Sequence, residues 1–256
     1  MYQNEQVNQI VAFTGLETAE VLHQAADTTP LTAQMLAGRT VCSLISPGTE
    51  GAGFSGRYWW TTEYPIIPGY AAVIEVTDVG SEVNDLQPGD LVLAMKPHQS
   101  LQRCTRAEVI PLPKGLDPRL APFARLMAVT MSTLTTTTAR PPETVLITGL
   151  GIIGHLAAQI FAACGYQVIA CDPAPARQAL ATRQGLRDVR ASVPLDDPTL
   201  ADKVALAIDC SGHEQAVLDA CKIVKKRGEV VSTATPWQRR TEIYAHELLH
   251  TLFTRY

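Results

Sequence analysis

The chain has 256 residues, 46% of them hydrophobic and 18% charged, and a formal net charge of −4, so it can bury a substantial core and has the length of two ordinary domains. The acidic balance provides no electrostatic case for a nucleic-acid partner, and the longest basic cluster, Lys225-Lys226-Arg227 before Gly228, reads as the last turn of a helix. The start, MYQNEQVNQI, lacks the basic and apolar regions of an export signal, and the six cysteines (Cys42, Cys104, Cys164, Cys171, Cys210, Cys221) include no CxxC pair, which indicates reduced, mostly buried thiols in a cytoplasmic protein.

From Val7 to about Leu112, short apolar runs alternate with Pro and Gly, the pattern of a compact β-rich domain. Residues 10–13 and 40–45 read as strands and Ser46-Pro47-Gly48-Thr49 as a turn. Residues 70–76 follow Pro65 and Pro68 as a strand, and Gln87-Pro88-Gly89-Asp90 turns into another at residues 91–95. Such spacing suits a barrel or a partly open sandwich. Between Asp117 and Thr138 the apolar spacing becomes helical, with Pro118 in a first turn behind an Asp117 cap, and Pro141-Pro142 closes the segment. Beyond it, helix and strand alternate: helices at 176–184 and 214–224, strands near Val189 and at 204–209 and 229–233. Repeated βα units demand a mostly parallel sheet with right-handed crossovers.

That second half begins with VLITGLGIIGHLAAQIFAACGYQVIACD, residues 145–172, which reads as strand, glycine turn, helix, strand. Gly149, Leu150, Gly151, Ile152, Ile153 and Gly154 carry GxGxxG spacing. The first glycine allows the tight turn, the second lets backbone approach a pyrophosphate, and the third lets the helix pack close to the sheet. The helix N-terminus then offers free N–H groups and a positive dipole end to the phosphates. Asp172, about twenty residues on, ends the second strand where a carboxylate accepts from an adenosine ribose and repels a 2′-phosphate, so the cofactor is expected to be NAD rather than NADP. Residues 145–170 are apolar enough to suggest a membrane span, but four glycines together with His155, Gln159 and Gln167 interrupt them, and no membrane partner is expected.

The layout resembles the medium-chain dehydrogenase/reductase superfamily, the zinc-type alcohol dehydrogenase relatives. The resemblance rests on Val79-Gly80 through Gly89-Asp90-Leu91-Val92, Pro111-Leu112-Pro113, the glycine turn, Asp172-Pro173, and Ile208-Asp209-Cys210-Ser211-Gly212. It implies an α/β chain: a GroES-like β-barrel catalytic domain over residues 1–116, a linking helix over 117–142, and a Rossmann doubly wound parallel sheet over 143–256. It also places Ser211 and Gly212 near the nicotinamide ribose. Relatives often pair edge strands across a homodimer, for which residues 241–244 are a poor strand.

Two departures shape the functional expectation. Where zinc-dependent relatives carry a Cys, a Gly-His-Glu and a further acidic or Cys residue, this chain has Ser46, Tyr70-Ala71 and, approximately, Arg125. These are not a zinc ligand set, so no metal is expected. The Ser-Pro-Gly-Thr-Glu turn and Pro-Gly-Tyr are similar to a branch that includes bacteriochlorophyllide hydroxyethyl dehydrogenases, which implies a bulky secondary alcohol as substrate. Without zinc, a general base or a preorganised donor must serve the reacting oxygen. Tyr70, with Lys96 as the nearby cation that would activate it, is the first candidate; His98 is the second, and Ser46 stands where the first metal ligand would be. The other departure is the missing return segment: the chain stops at residues 245–256, which read as a helix with Leu248, Leu249, Leu252 and Phe253 on one face, in a truncated or naturally short member. The expected activity is a zinc-independent, NAD-dependent oxidoreductase on an alcohol/carbonyl pair. A non-catalytic dinucleotide-binding protein and a zinc-free quinone or enoyl reductase remain the competing readings.

Overall fold

The computed structural model describes residues 7–57 and 63–234. The chain divides into two compact units, Met1–Arg125 and Leu126–Tyr256. The expected C-terminal helix and the strand at 241–244 lie outside the described residues.

In the first unit, β1 (Val7–Gly15) and β2 (Thr18–Ala25) form an antiparallel hairpin. Five further strands, β3 (Met35–Ser43), β4 (Ala72–Val79), β5 (Leu91–Ala94), β6 (Leu101–Thr105) and β7 (Val109–Pro111), make one antiparallel sheet in the order β6-β3-β4-β5-β7. A six-residue helix, α1 (Thr49–Phe54), follows β3. The sheet curls into the GroES-like half-barrel around Leu36, Ile74, Val76, Val92 and Cys104. Gly38 sits at a bulge in β3, where a Cβ would lie 2.4 Å from the Glu75 carbonyl oxygen, so the close pairing of β3 and β4 requires glycine.

β2 and β6 carry no strand signal in the sequence, and their burial explains why. β2 is exposed along nearly all its length. β6 buries Gln102, whose amide donates to Thr40 Oγ1 (3.1 Å) and to the Pro97 carbonyl (2.9 Å), so an inward position is polar. The helix expected from Asp117 begins later, as α2 (Phe123–Thr136). Asp117 instead accepts from the Arg119 backbone N–H at 2.9 Å and from its guanidinium, holding a run of turns.

Lys96 ion-pairs with Glu108 at 2.8 Å, and Glu108 also accepts from the Thr105 N–H at 2.7 Å. Lys96 first, and then the Thr105 amide, pull the Glu108 pKa from its ordinary 4.5 down to about 2. A carboxylate whose folded pKa is depressed stabilises the fold fully above its unfolded value and loses that contribution as pH falls through the folded one. Glu108→Gln should therefore flatten the decline in melting temperature between about pH 4.5 and pH 2, read by calorimetry; an unchanged decline would show that the pair contributes nothing.

The second unit is a five-stranded parallel sheet in the order β10-β9-β8-β11-β12. Its elements are β8 (Thr144–Thr148), α3 (Ile152–Ala163), β9 (Gln167–Cys171), α4 (Pro175–Arg183), β10 (Asp188–Arg190), β11 (Val204–Asp209), α5 (Glu214–Ile223) and β12 (Val224–Ser232). Every residue of β8 and β11 is buried, as central strands covered on both faces must be. The order runs outward in both directions from β8, so the strand order reverses between β8 and β11. Open parallel sheets bind ligands beyond the carboxyl ends of their strands at that reversal. The basic triplet is not a helical turn: α5 ends at Ile223, and Lys225, Lys226 and Arg227 lie in β12. Lys225 pairs there with Glu143.

All six cysteines are free; Cys104 and Cys171 are buried, and Cys164 is exposed. Burial pushes Cys104 up to about 11 and Cys171 up to about 12, which keeps both as inert thiols. No helix among the described residues is long and apolar enough to cross a membrane.

Candidate functional site

In the second unit the glycine turn lies at the reversal point. Gly149 leaves β8 with φ +82, and a Cβ there would meet the Ser211 N and Cα at 2.6 Å, so glycine lets the ends of β8 and β11 touch. A Cβ on Gly154 would lie 1.8 Å from the Gly149 carbonyl oxygen, which sets how closely α3 approaches the turn. Gly151 differs from both: nothing lies within 4 Å of where its Cβ would be. Two of the three glycines are thus required by the protein itself, and the third faces open space.

Gly151 is the N-cap of α3, and the first helical hydrogen bond there runs from the His155 N–H to its carbonyl (2.9 Å). The N–H groups of Ile152, Ile153 and Gly154 thus have no acceptor within the helix. Unpaired donors beside a glycine with room in front of it fit a phosphate.

Asp172 is 2% exposed and holds the turn in shape. Its Oδ2 accepts from the Leu150 N–H (2.7 Å), its Oδ1 from the Ala174 N–H (2.8 Å), and Arg177 Nη1 stands 3.2 Å from Oδ2. A carboxylate has about four lone-pair sites, so acceptor capacity remains beyond these three donors. Asp209, fully buried, does the same for the neighbouring loop; it belongs to the Ile208-to-Gly212 motif of the sequence, where it was given no role. It accepts from Thr148 Oγ1 (2.7 Å), Ser211 Oγ (2.6 Å), the Ser211 N–H (3.1 Å) and the Gly212 N–H (3.1 Å). The Ser211 hydroxyl is therefore spent inside its own loop, and Ser211 and Gly212 present backbone to the reversal point. An Asp two residues before a Ser-Gly at a strand end was the signal available. A cavity of about 400 Å³ lined by residues including Pro194, Asp197, Leu200 and Ile223 lies at the amino ends of β11 and β12, away from this turn.

In the first unit the expected acid-base residues separate into three places. Lys96 is committed to Glu108 and does not serve Tyr70. The cation on Tyr70 is Arg125, whose guanidinium carbon lies 5.3 Å from the ring centroid. His98 is 7% exposed and joins two residues that sequence reasoning had not marked: its Nε2 is 2.8 Å from Glu50 Oε2 and its Nδ1 is 2.7 Å from Ser43 Oγ. Glu50, 4% exposed, also accepts the Ser46 N–H through Oε1 at 2.8 Å, while the Glu50 N–H returns to the Ser46 carbonyl at 3.0 Å. Ser46 is thus the backbone anchor of Glu50.

An ionised Glu50 carboxylate would only accept, which would assign the proton to Nε2 of a neutral His98 and leave Nδ1 to accept from the Ser43 hydroxyl. The result is a directed chain from partly exposed Ser43 through His98 to buried Glu50. Gly69 (φ +104) lets the His98 segment pack against it, since a Cβ there would lie 2.6 Å from the His98 backbone nitrogen and 2.9 Å from its ring Cγ.

Among the described residues no group of three or more His, Cys, Asp or Glu side chains could hold a metal ion, and Tyr70 lies under the Arg125 guanidinium, a cation that would repel one.

The parallel sheet with its glycine turn, joined in one chain to a GroES-like half-barrel, defines a medium-chain dehydrogenase fold. A family model described as "Zinc-binding dehydrogenase" matches residues 153–253, so this stretch of the second unit is similar to that family. The chain is 27% identical over 215 residues to an L-galactonate-5-dehydrogenase of Escherichia coli (strain K12), covering 66% of this chain and 60% of that one. It is 28% identical over 209 residues to an alcohol dehydrogenase of Geobacillus stearothermophilus, covering 67% of this chain and 61% of that one. These matches span about 60% of the curated relatives' length. Among solved structures, acetophenone reductase from Geotrichum candidum NBRC 4597, in complex with NAD, superposes with a TM-score of 0.80 at 18% identity, covering 98% of this chain and 82% of that one.

Proposed function

We propose that the protein is an NAD-dependent oxidoreductase that interconverts an alcohol and a carbonyl compound without zinc. The observation that carries this reading is the glycine turn at the strand-order reversal, where Gly151 faces open space beside the unpaired N–H groups of α3. The curated relatives bear dehydrogenase names, in line with such chemistry. The Ser46-to-Glu50 turn and Gly69-Tyr70 favour the branch that includes bacteriochlorophyllide hydroxyethyl dehydrogenases, hence a bulky secondary alcohol.

The bound nicotinamide would take or give the hydride; the protein must handle the proton. Ser43, His98 and Glu50 suit that task better than Tyr70, because the cation proposed to activate Tyr70 is paired elsewhere. In the oxidising direction the substrate hydroxyl would give its proton to Ser43 Oγ as Ser43 gives its own to His98 Nδ1. The imidazolium so formed has both ring protons placed, and the Glu50 carboxylate at 2.8 Å from Nε2 compensates its charge. His98 is the base in this scheme, Ser43 the group that meets substrate, and Glu50 a positioning residue.

Parallel fluorescence titrations with NADH and NADPH test the cofactor assignment. NADH should bind at least about tenfold more tightly, since Asp172 opposes a 2′-phosphate. Equal affinities would remove the NAD preference, and no binding of either would end the redox reading. NADH binding without turnover across bulky secondary alcohols would leave a non-catalytic dinucleotide-binding protein.

A further inference from the structure

Tyr70 and Arg125 form a second polar cluster in the first unit, which the proton chain does not use. Arg125 is partly buried, and its Nε is fully enclosed with no hydrogen-bond partner. Among the described residues no carboxylate pairs with its guanidinium, whereas Arg103, Arg106, Arg119, Arg177 and Arg190 each have one. Its one side-chain contact of note is the ring of Tyr70. An enclosed N–H without an acceptor is costly, and nothing among the described residues of the first unit neutralises the charge that carries it.

We propose that Tyr70 and Arg125 form a recognition site for one oxyanion, a carboxylate carried by the alcohol substrate. The guanidinium carbon lies 5.3 Å from the Tyr70 ring centroid, no carboxylate of the described residues occupies its N–H groups, and a planar fork of donors matches the two oxygens of a carboxylate. The substrate class is a secondary alcohol bearing a carboxylate, or the corresponding keto acid. This rests on the oxidoreductase reading for the alcohol; the carboxylate site stands on Tyr70 and Arg125 alone. A phosphate of the dinucleotide is the other source of the same chemistry, and the experiment separates the two.

The first arm needs no turnover. Wild type, R125M and R125K are melted with and without mandelate, gluconate and benzoate, and with methyl mandelate as the neutral control. R125M should melt no lower than wild type without ligand, because the charge it removes has no partner. At least one of the three carboxylates should raise the wild-type melting temperature while the ester does not, and R125M should lose that rise, with R125K between them. A wild type that responds to none of them, or an R125M that responds as wild type does, overturns the proposal. So does an R125M that melts well below wild type, which would make Arg125 a structural stacking partner.

The second arm is NADH titration of the same variants. Weakening by about tenfold or more in R125M would assign the site to a cofactor phosphate and overturn the substrate assignment. Should NADH fail to bind wild type while the carboxylate response still requires Arg125, the redox reading falls and this site survives it. In turnover, the preference for hydroxy acid over its ester should appear in KM and vanish in R125M. A fall in kcat that is equal for acid and ester would instead place Arg125 at the reacting oxygen.

Discussion

Gly154→Ala is expected to lose about 3 kcal/mol or more of stability, while Gly151→Ala, three residues earlier in the same motif, stays within about 0.5 kcal/mol of wild type. The difference follows from what each new methyl group meets. At 154 it lies 1.8 Å from the Gly149 carbonyl oxygen and 3.2 Å from Cys210 Cβ, so α3 must move away from a turn whose position Asp172 and Ser211 already fix. At 151 the backbone has φ −69 and ψ −170, which any residue adopts, and no atom lies within 4 Å of the added carbon. Gly151→Ala should nevertheless weaken NADH by about tenfold or more, because its methyl fills the space the pyrophosphate needs. Urea melts and NADH titration of both variants make the test. A Gly151→Ala protein that binds NADH as wild type does would show that the open face at 151 is not the cofactor's place, and the functional proposal would go with it.

Changing Glu50 separates structure from chemistry in the first unit. Glu50→Ala should cost about 3 kcal/mol, since it leaves both the Ser46 N–H and His98 Nε2–H without acceptors inside a buried cluster. Glu50→Gln keeps one acceptor oxygen and should cost less than half of that, so it is the variant for kinetics. Removing the carboxylate removes what compensates an imidazolium at 2.8 Å, so the pH-rate profile of alcohol oxidation should differ from that of wild type. At neutral pH kcat should drop by about tenfold or more, because charge forming on His98 is no longer compensated, and NADH affinity should hold. A pH-rate profile in Glu50→Gln that overlays wild type would return the Ser43–His98–Glu50 chain to a purely architectural role. His98→Gln then checks the base itself, and a variant with wild-type turnover would exclude it.

The two halves of the molecule differed in how far their residues could be read in advance. In the parallel sheet, β8, β11, the glycine turn and Asp172 stand where strand, turn and acid signals placed them, and only the basic triplet moved, from a helix end into β12. In the half-barrel, β2 and β6 escaped because one is exposed and the other buries a glutamine, so neither has the alternation that marks a strand. Pro118 after Asp117 suggested a helix start, and the Arg119 side chain and backbone instead captured Asp117.

Sequence alone determined the features whose causes are local. A strand buried on both faces must be a short apolar run, a positive φ selects glycine, and a helix that meets a sheet closely needs a residue without a Cβ, so the parallel sheet and its glycine turn are written in consecutive residues. Tertiary structure decided the partners. His98 meets Glu50 across 48 positions and Ser43 across 55, while Lys96 turned to Glu108 and Arg125 came to rest on Tyr70. Such pairings depend on the register of antiparallel strands and on the path of the loops between them, and a shift of one residue sends a side chain to the opposite face. No local pattern records that register, so His98 could be singled out in advance but its partners Glu50 and Ser43 became visible only once the half-barrel was built.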